Sequence, residues 1–143
     1  MMVARAWGPS APVVPRLARS LRVLGREVDA CWPGRDRASD GWIGDDRHQT
    51  LRSDHNPDAL GIVHAIDLDV DGGRPWVVVV ACVRDPRTEY VIYRGVIWSR
   101  SHKFHPRPYT GQDPHVSHLH VSIRYRRWCE ISSRPWYVCP GQS

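Results

Sequence analysis

His118-Leu119-His120-Val121-Ser122-Ile123 alternates polar and apolar residues along its whole length. Successive side chains of a β-strand point to opposite faces. His118, His120 and Ser122 therefore line one face of a predicted strand, and Leu119, Val121 and Ile123 line the other. The apolar row turns to a core and the imidazoles turn to a cleft. A second strand is predicted over Gly61 to Val70, closed by the turn residues Asp71-Gly72-Gly73. In it Ala65, Asp67 and Asp69 share one face, whereas His64 points the other way.

The remaining segments build outward from these strands. From Val14 to Ala30, the residues Leu17, Leu21, Leu24 and Val28 recur at helical spacing with arginines between them. This predicts an amphipathic helix with Pro15 in its first turn and Trp32-Pro33-Gly34 at its end. Residues 1–13 read as an irregular lead-in, and residues 34–57 as a long functional loop with one helical turn. Pro75 to Arg84 carries the β-favouring run Val77 to Val80 but begins with a proline; it is read as a buried helix, with a strand as the alternative. Glu89 to Tyr93 and Val96 to Ser99 flank Arg94-Gly95, the pattern of a hairpin. Residues 100–114 form a Pro- and Gly-rich loop, and the Arg- and Trp-rich tail from Arg124 is left unassigned. The sum is an α+β fold: one small domain over residues 1–143, core about 14–125, with a mainly antiparallel sheet and flanking helices.

Composition bounds the function. The chain has 143 residues, of which 41% are hydrophobic and 24% charged, the balance of a soluble globular protein. No run approaches the roughly 18 apolar residues needed to span a membrane. The N-terminal stretch has no apolar core of a secretory signal, so synthesis in the cytoplasm is expected. The net charge is +5, and Lys103 is the only lysine among 20 basic residues. Such a surface suits nucleic acid or an anionic cell envelope, although a codon bias toward Arg produces the same balance. Cys31, Cys82, Cys129 and Cys139 lie far apart with no C-x-x-C pair, which argues against a cysteine-rich zinc knuckle. A Cys129–Cys139 disulfide would suit an oxidising compartment; free, partly buried thiols are the preferred reading.

Eight histidines are present, and three of them, His115, His118 and His120, fall within six positions. Upstream stands Ser53-Asp54-His55-Asn56-Pro57, followed by the strand that presents Asp67. His55, Asp67 and a histidine of the 115–120 cluster together match a catalytic zinc site, in which three protein ligands leave one position open. Asp69 rivals Asp67 because it shares that face. A calcium loop is disfavoured, since the EF-hand order with a distal Glu is missing.

These residues resemble the LAS group of zinc peptidases, which includes D-Ala-D-Ala carboxypeptidases, murein endopeptidases and phage L-alanyl-D-glutamate endolysins. Ser53-Asp54-His55 resembles the start of the family motif, Ala65-Ile66-Asp67 its middle, and His118-Leu119-His120 its distal His-x-His. His115 occupies the place of an additional His found in several members. The Asp54-His55-Asn56-Pro57 wording is similar to that of small peptidase-like proteins of actinobacterial phages and their hosts. The resemblance covers residues 40–123 and implies an LAS/hedgehog-like fold. It also implies zinc (Zn2+) on His55, Asp67 and His120, with His118 or His115 moving protons and Asp113 a weaker candidate base. The implied substrate is a peptidoglycan stem peptide, hydrolysed by a monomer that engages neither nucleic acid nor membrane and acts on the wall after release from the cell. Arg52 and Arg100 are candidate oxyanion or carboxylate binders by position alone.

Two departures stand out. The interval from His55 to Asp67 exceeds the family's usual one, as an insertion around Asn56-Pro57-Asp58-Ala59-Leu60 would produce. The position where some members carry an acidic base is Ser117. Two other function classes are expected to compete with the peptidase: a metal-dependent nuclease using the Asp54-His55-Asn56 segment, and a non-catalytic binding domain that keeps the zinc site, as the hedgehog signalling domain does.

Overall fold

The computed structural model describes residues 13–44 and 53–140. The expected lead-in up to residue 12, the middle of the 34–57 loop and Arg52 lie outside the described residues. The strands are β1 (Arg16–Leu17), β2 (Ile62–Val63), β3 (Ala65–Asp69), β4 (Thr88–Tyr93), β5 (Val96–Ser99), β6 (Arg107–Pro108) and β7 (His118–Ile123). The helices are α1 (Arg19–Cys31), α2 (Pro75–Arg84) and α3 (Arg127–Ile131). A five-stranded sheet runs β3-β7-β4-β5-β6 with every neighbouring pair antiparallel. The architecture is α+β with a mainly antiparallel sheet.

The alternation of β7 is realised. Leu119, Val121 and Ile123 join Ile66, Leu68, Val91 and Tyr93 in one apolar core, which Leu21, Leu24 and Val28 of α1 and Val78, Val79 and Cys82 of α2 complete. Each such burial contributes about 1.5–3 kcal/mol. The valine run of α2 is helical despite its β propensity because Pro75 starts the helix and burial outweighs a weak intrinsic preference. Between β4 and β5, Arg94 (φ 48°) and Gly95 (φ 74°) are both left-handed, the backbone of a two-residue primed turn.

Four expectations need correction. Helix α1 begins at Arg19 rather than near Val14, because Arg16 and Leu17 pair in parallel with Ile62 and Val63. The Arg16 and Ala18 amides donate to the Gly61 and Val63 carbonyls at 2.8 and 3.0 Å, so tertiary pairing takes residues that the periodicity had given to the helix. The strand over 61–70 is broken at His64, whose amide donates to Asp54 while its carbonyl accepts from Ile123. The 100–114 loop contains a 3-10 turn at Arg100–His102 and the short strand β6.

The fourth concerns the tail. It belongs to the core, with Cys129, Trp136 and Val138 all buried, and the disulfide joins Cys31 to Cys139. Glu27 of α1 accepts the Trp136 and Tyr137 amides at 2.7 and 2.9 Å, and the Trp136 indole donates to the Ser20 carbonyl at 2.7 Å. These bonds carry the tail along α1 to its last residue, where the two Cα atoms stand 5.3 Å apart. Cys129 is held inside the core and remains a free thiol together with Cys82.

Candidate metal centre

Strand β3 pairs with β7 in a register that sets Asp67 opposite His120 and Asp69 opposite His118. The polar faces of the two strands therefore coincide. The outer edge of β3 is covered by the 34–44 loop, where Gly41 and Asp67 exchange both backbone hydrogen bonds at 3.1 and 2.7 Å. This bridge places the adjacent Trp42 carbonyl 3.0 Å from His55 Nδ1. The long His55-to-Asp67 interval closes as a compact turn. The Asp58 carboxylate accepts the Leu60 and Ile62 amides at 2.9 Å each, and Gly61 adopts φ 80°. A side chain at Gly61 would be strained there and would press on the Val14 carbonyl.

Three inward side chains define the centre. His55 Nε2 lies 3.2 Å from Asp67 Oδ2, His120 Nδ1 lies 3.1 Å from Asp67 Oδ1, and the two nitrogens are 3.2 Å apart. Bonds of about 2.0–2.1 Å to one tetrahedral zinc ion place ligand atoms roughly 3.3 Å from one another. The triangle therefore has the scale of a single ion, and these residues could hold one. The outer nitrogens are fixed as well. The Trp42 carbonyl can only accept, so a neutral His55 carries its proton on Nδ1 and turns a lone pair inward. His120 Nε2 meets Ser122 Oγ at 2.7 Å.

The electrostatics follow from this packing. Burial works against ionised Asp67, but hydrogen bonds from His120 and His55 outweigh it and hold the carboxyl well below the usual range. Burial likewise opposes a charged His55, and the Asp67 carboxylate outweighs it, raising the imidazole above its ordinary value. His115 moves the other way: burial and the neighbouring His120 push its pKa down.

The favoured ligand and base candidates, His55, Asp67, His115, His118 and His120, converge here. His118 Nε2 stands 3.9 Å from Asp67 Oδ2 and 3.5 Å from Asp113 Oδ2. The His115 ring lies 4.8 Å from that of His118 and 5.5 Å from that of His120. His115 is held in the left-handed region (φ 56°), its carbonyl accepting the Arg94 amide of the hairpin turn and its amide donating to Asp113. Asp67, His115 and His118 form a second, overlapping set with ligand spacing.

The rival residues go elsewhere. Asp69 accepts the Ser39 and Asp71 amides, while Arg100 donates to the Thr88 and Pro86 carbonyls. His64 turns to Tyr125 and Glu130. Other neighbours of the site were not read from the sequence. The Tyr90 ring stacks on His120 at 5.3 Å, and Tyr109 meets His115 edge-on at 5.6 Å. Tyr90 also lines a cavity of about 560 Å³ with Ser53, Asp54 and Tyr125. The only sequence signal for Tyr90 is its place on a strand with polar–apolar alternation. The Trp42 contribution is a backbone carbonyl, which leaves no signature in side-chain identity.

No protein-family model matches this chain, and neither does any curated protein or solved structure.

Proposed function

We propose that the protein is a zinc-dependent peptidase of the LAS type that hydrolyses amide bonds in peptidoglycan stem peptides. The observation that carries this reading is the convergence of His55, Asp67 and His120 at mutual distances of 3.1–3.2 Å, with two more imidazoles on the same side. His55 Nε2, one Asp67 oxygen and His120 Nδ1 would hold the ion. A bound zinc supplies Lewis acidity to the scissile carbonyl and to the attacking water. His115 or His118 would accept a proton from that water, the Asp113 carboxylate 3.5 Å from His118 Nε2 stabilising the imidazolium that forms there. The same imidazole then delivers the proton to the leaving amine. Tyr90, whose ring stacks on His120, also lines a cavity with Ser53, Asp54 and Tyr125 that could take part of a substrate. The +5 net charge complements an anionic wall.

Mass spectrometry of muropeptides tests the reading. Zinc-loaded protein should release stem-peptide fragments, and protein stripped by a chelator should not. Intact stem peptides after incubation with fully zinc-loaded protein would overturn it, and nicking of plasmid DNA by the same preparation would favour the nuclease instead.

A further inference from the structure

The segment that presents His55 also carries a carboxylate that the metal centre does not use. Asp54 directly precedes His55, and with Ser53, Tyr90 and Tyr125 it lines the cavity of about 560 Å³, room enough for a polar side chain. Its backbone is fixed, the carbonyl accepting the His64 amide at 3.1 Å. Its side chain meets a neutral partner: the Tyr125 hydroxyl donates to Oδ1 at 2.8 Å. Asp29, Asp40 and Asp85 each pair with an arginine. Among the described residues no Arg or Lys lies within ion-pair distance of Asp54.

The two tyrosines are set before any ligand arrives. The Tyr90 ring stacks on His120 with centroids 5.3 Å apart, and the Tyr125 ring stacks on His64 at 3.8 Å. An imidazole thus holds each phenol, and His64 is itself fully buried. A carboxylate grouped with two aromatic rings has the composition of an ammonium site. The carboxylate accepts charged N–H groups, and the ring faces attract a cation through their quadrupoles. A neutral occupant would leave the Asp54 charge uncompensated, and an anionic one would be repelled by it. A metal ion suits the lining less well, since one carboxylate and two protonated phenols supply too few ligands. Tyr90 both lines the cavity and stacks on His120, so one side chain joins the cavity to the metal centre.

We propose that Asp54, Tyr90 and Tyr125 form a subsite for a cationic amine of the substrate peptide, either a side-chain ammonium or a free N-terminal one. The inference rests on the peptidase reading for its substrate, but binding tests it separately from cleavage. The probes are four forms of one lysine-containing tetrapeptide: unmodified, acetylated on the side chain, acetylated at the N-terminus, and acetylated at both. Calorimetry on the full chain stripped of zinc reads their affinities whether or not the zinc-loaded protein cleaves them. The unmodified peptide should bind about tenfold tighter than the doubly acetylated one, and the singly acetylated forms identify the amine that is held. Asp54→Asn keeps an oxygen for the Tyr125 hydroxyl and should bind all four forms equally. Tyr125→Leu should narrow the preference, and it serves if Asp54→Asn fails to fold. Equal binding of the four forms by wild type, or none, would overturn the subsite, as would a preference retained in Asp54→Asn. Failure of the peptidase reading would show differently, as intact muropeptides and tetrapeptides after incubation with zinc-loaded protein.

Discussion

Asp67 and Asp69 sit two residues apart on one face of β3, yet they belong to different kinds of polar cluster. Asp69 is surrounded by donors fixed in place: the Ser39 amide at 2.9 Å, the Asp71 amide at 3.0 Å and, nearby, the Arg35 guanidinium. Arg35 is itself buried and forks onto Asp40 at 2.7 and 2.8 Å, reaches Asp29 at 2.7 Å and donates to the Asp69 carbonyl. Asp40 in turn accepts the Asp69 amide at 2.7 Å. Every charge in that cluster has a protein partner of opposite sign or a backbone donor. Asp67 instead faces two imidazoles whose outer nitrogens are tied to Trp42 and Ser122 and whose inner nitrogens point at its oxygens. A carboxylate satisfied by fixed donors holds a loop. A carboxylate grouped with the inward nitrogens of two imidazoles could share a cation with them.

Substitutions can break this contrast. The largest effect is expected at Asp67. Asp67→Ala should remove zinc from the centre and reduce muropeptide release to background, whereas Asp69→Asn should retain both; equal losses in the two variants would erase the distinction. Next come His115→Ala and His118→Ala, measured separately. The residue that carries the proton should lose about 10²–10⁴-fold in kcat with its zinc count unchanged, and loss of zinc would instead make it a ligand.

Arg35→Ala acts on the other cluster. It should cost about 3 kcal/mol in denaturant unfolding, the low end for breaking a buried pair because Asp29 and Asp40 stay partly exposed, and should leave zinc bound. The smallest effect is the pH dependence contributed by Asp69. Burial opposes its ionisation, but the Asp71 and Ser39 amides outweigh it and lower its folded pKa. Its stabilisation is therefore present above the unfolded value of about 3.9 and is lost as pH falls through the depressed folded value. Thermal melts between pH 5 and pH 2 should fall less steeply for Asp69→Asn than for wild type; parallel curves would remove Asp69 from the network.

Much of the site was legible because strand alternation is a local rule. Assigning His118, His120 and Asp67 to facing rows, and His64 to the opposite side, needed only the period of two. The register of β3 on β7 then brought those rows together. The hairpin at Arg94-Gly95 was legible for a similar reason, since two adjacent left-handed residues suit a primed turn. Helix α1 was legible in its buried stripe but not in its start, because Pro15-Arg16-Leu17 has two competing uses and the partner strand lies more than forty residues away. The disulfide was illegible: Cys139 finds Cys31 only after Glu27 and Trp136 have laid the tail along α1.

Residue type and spacing were thus sufficient to name an α+β chain, its polar strand faces and a His/Asp set that could hold a metal ion. Those properties depend on side-chain chemistry and on contacts between near neighbours. The tertiary structure decided which acid of β3 faces the imidazoles and which is taken up by Ser39 and Asp71. It also decided that a Trp42 carbonyl sets the proton of a neutral His55 on Nδ1. Each of these depends on atoms distant in sequence coming within about 3–4 Å, a separation that long-range pairing produces and no local pattern encodes.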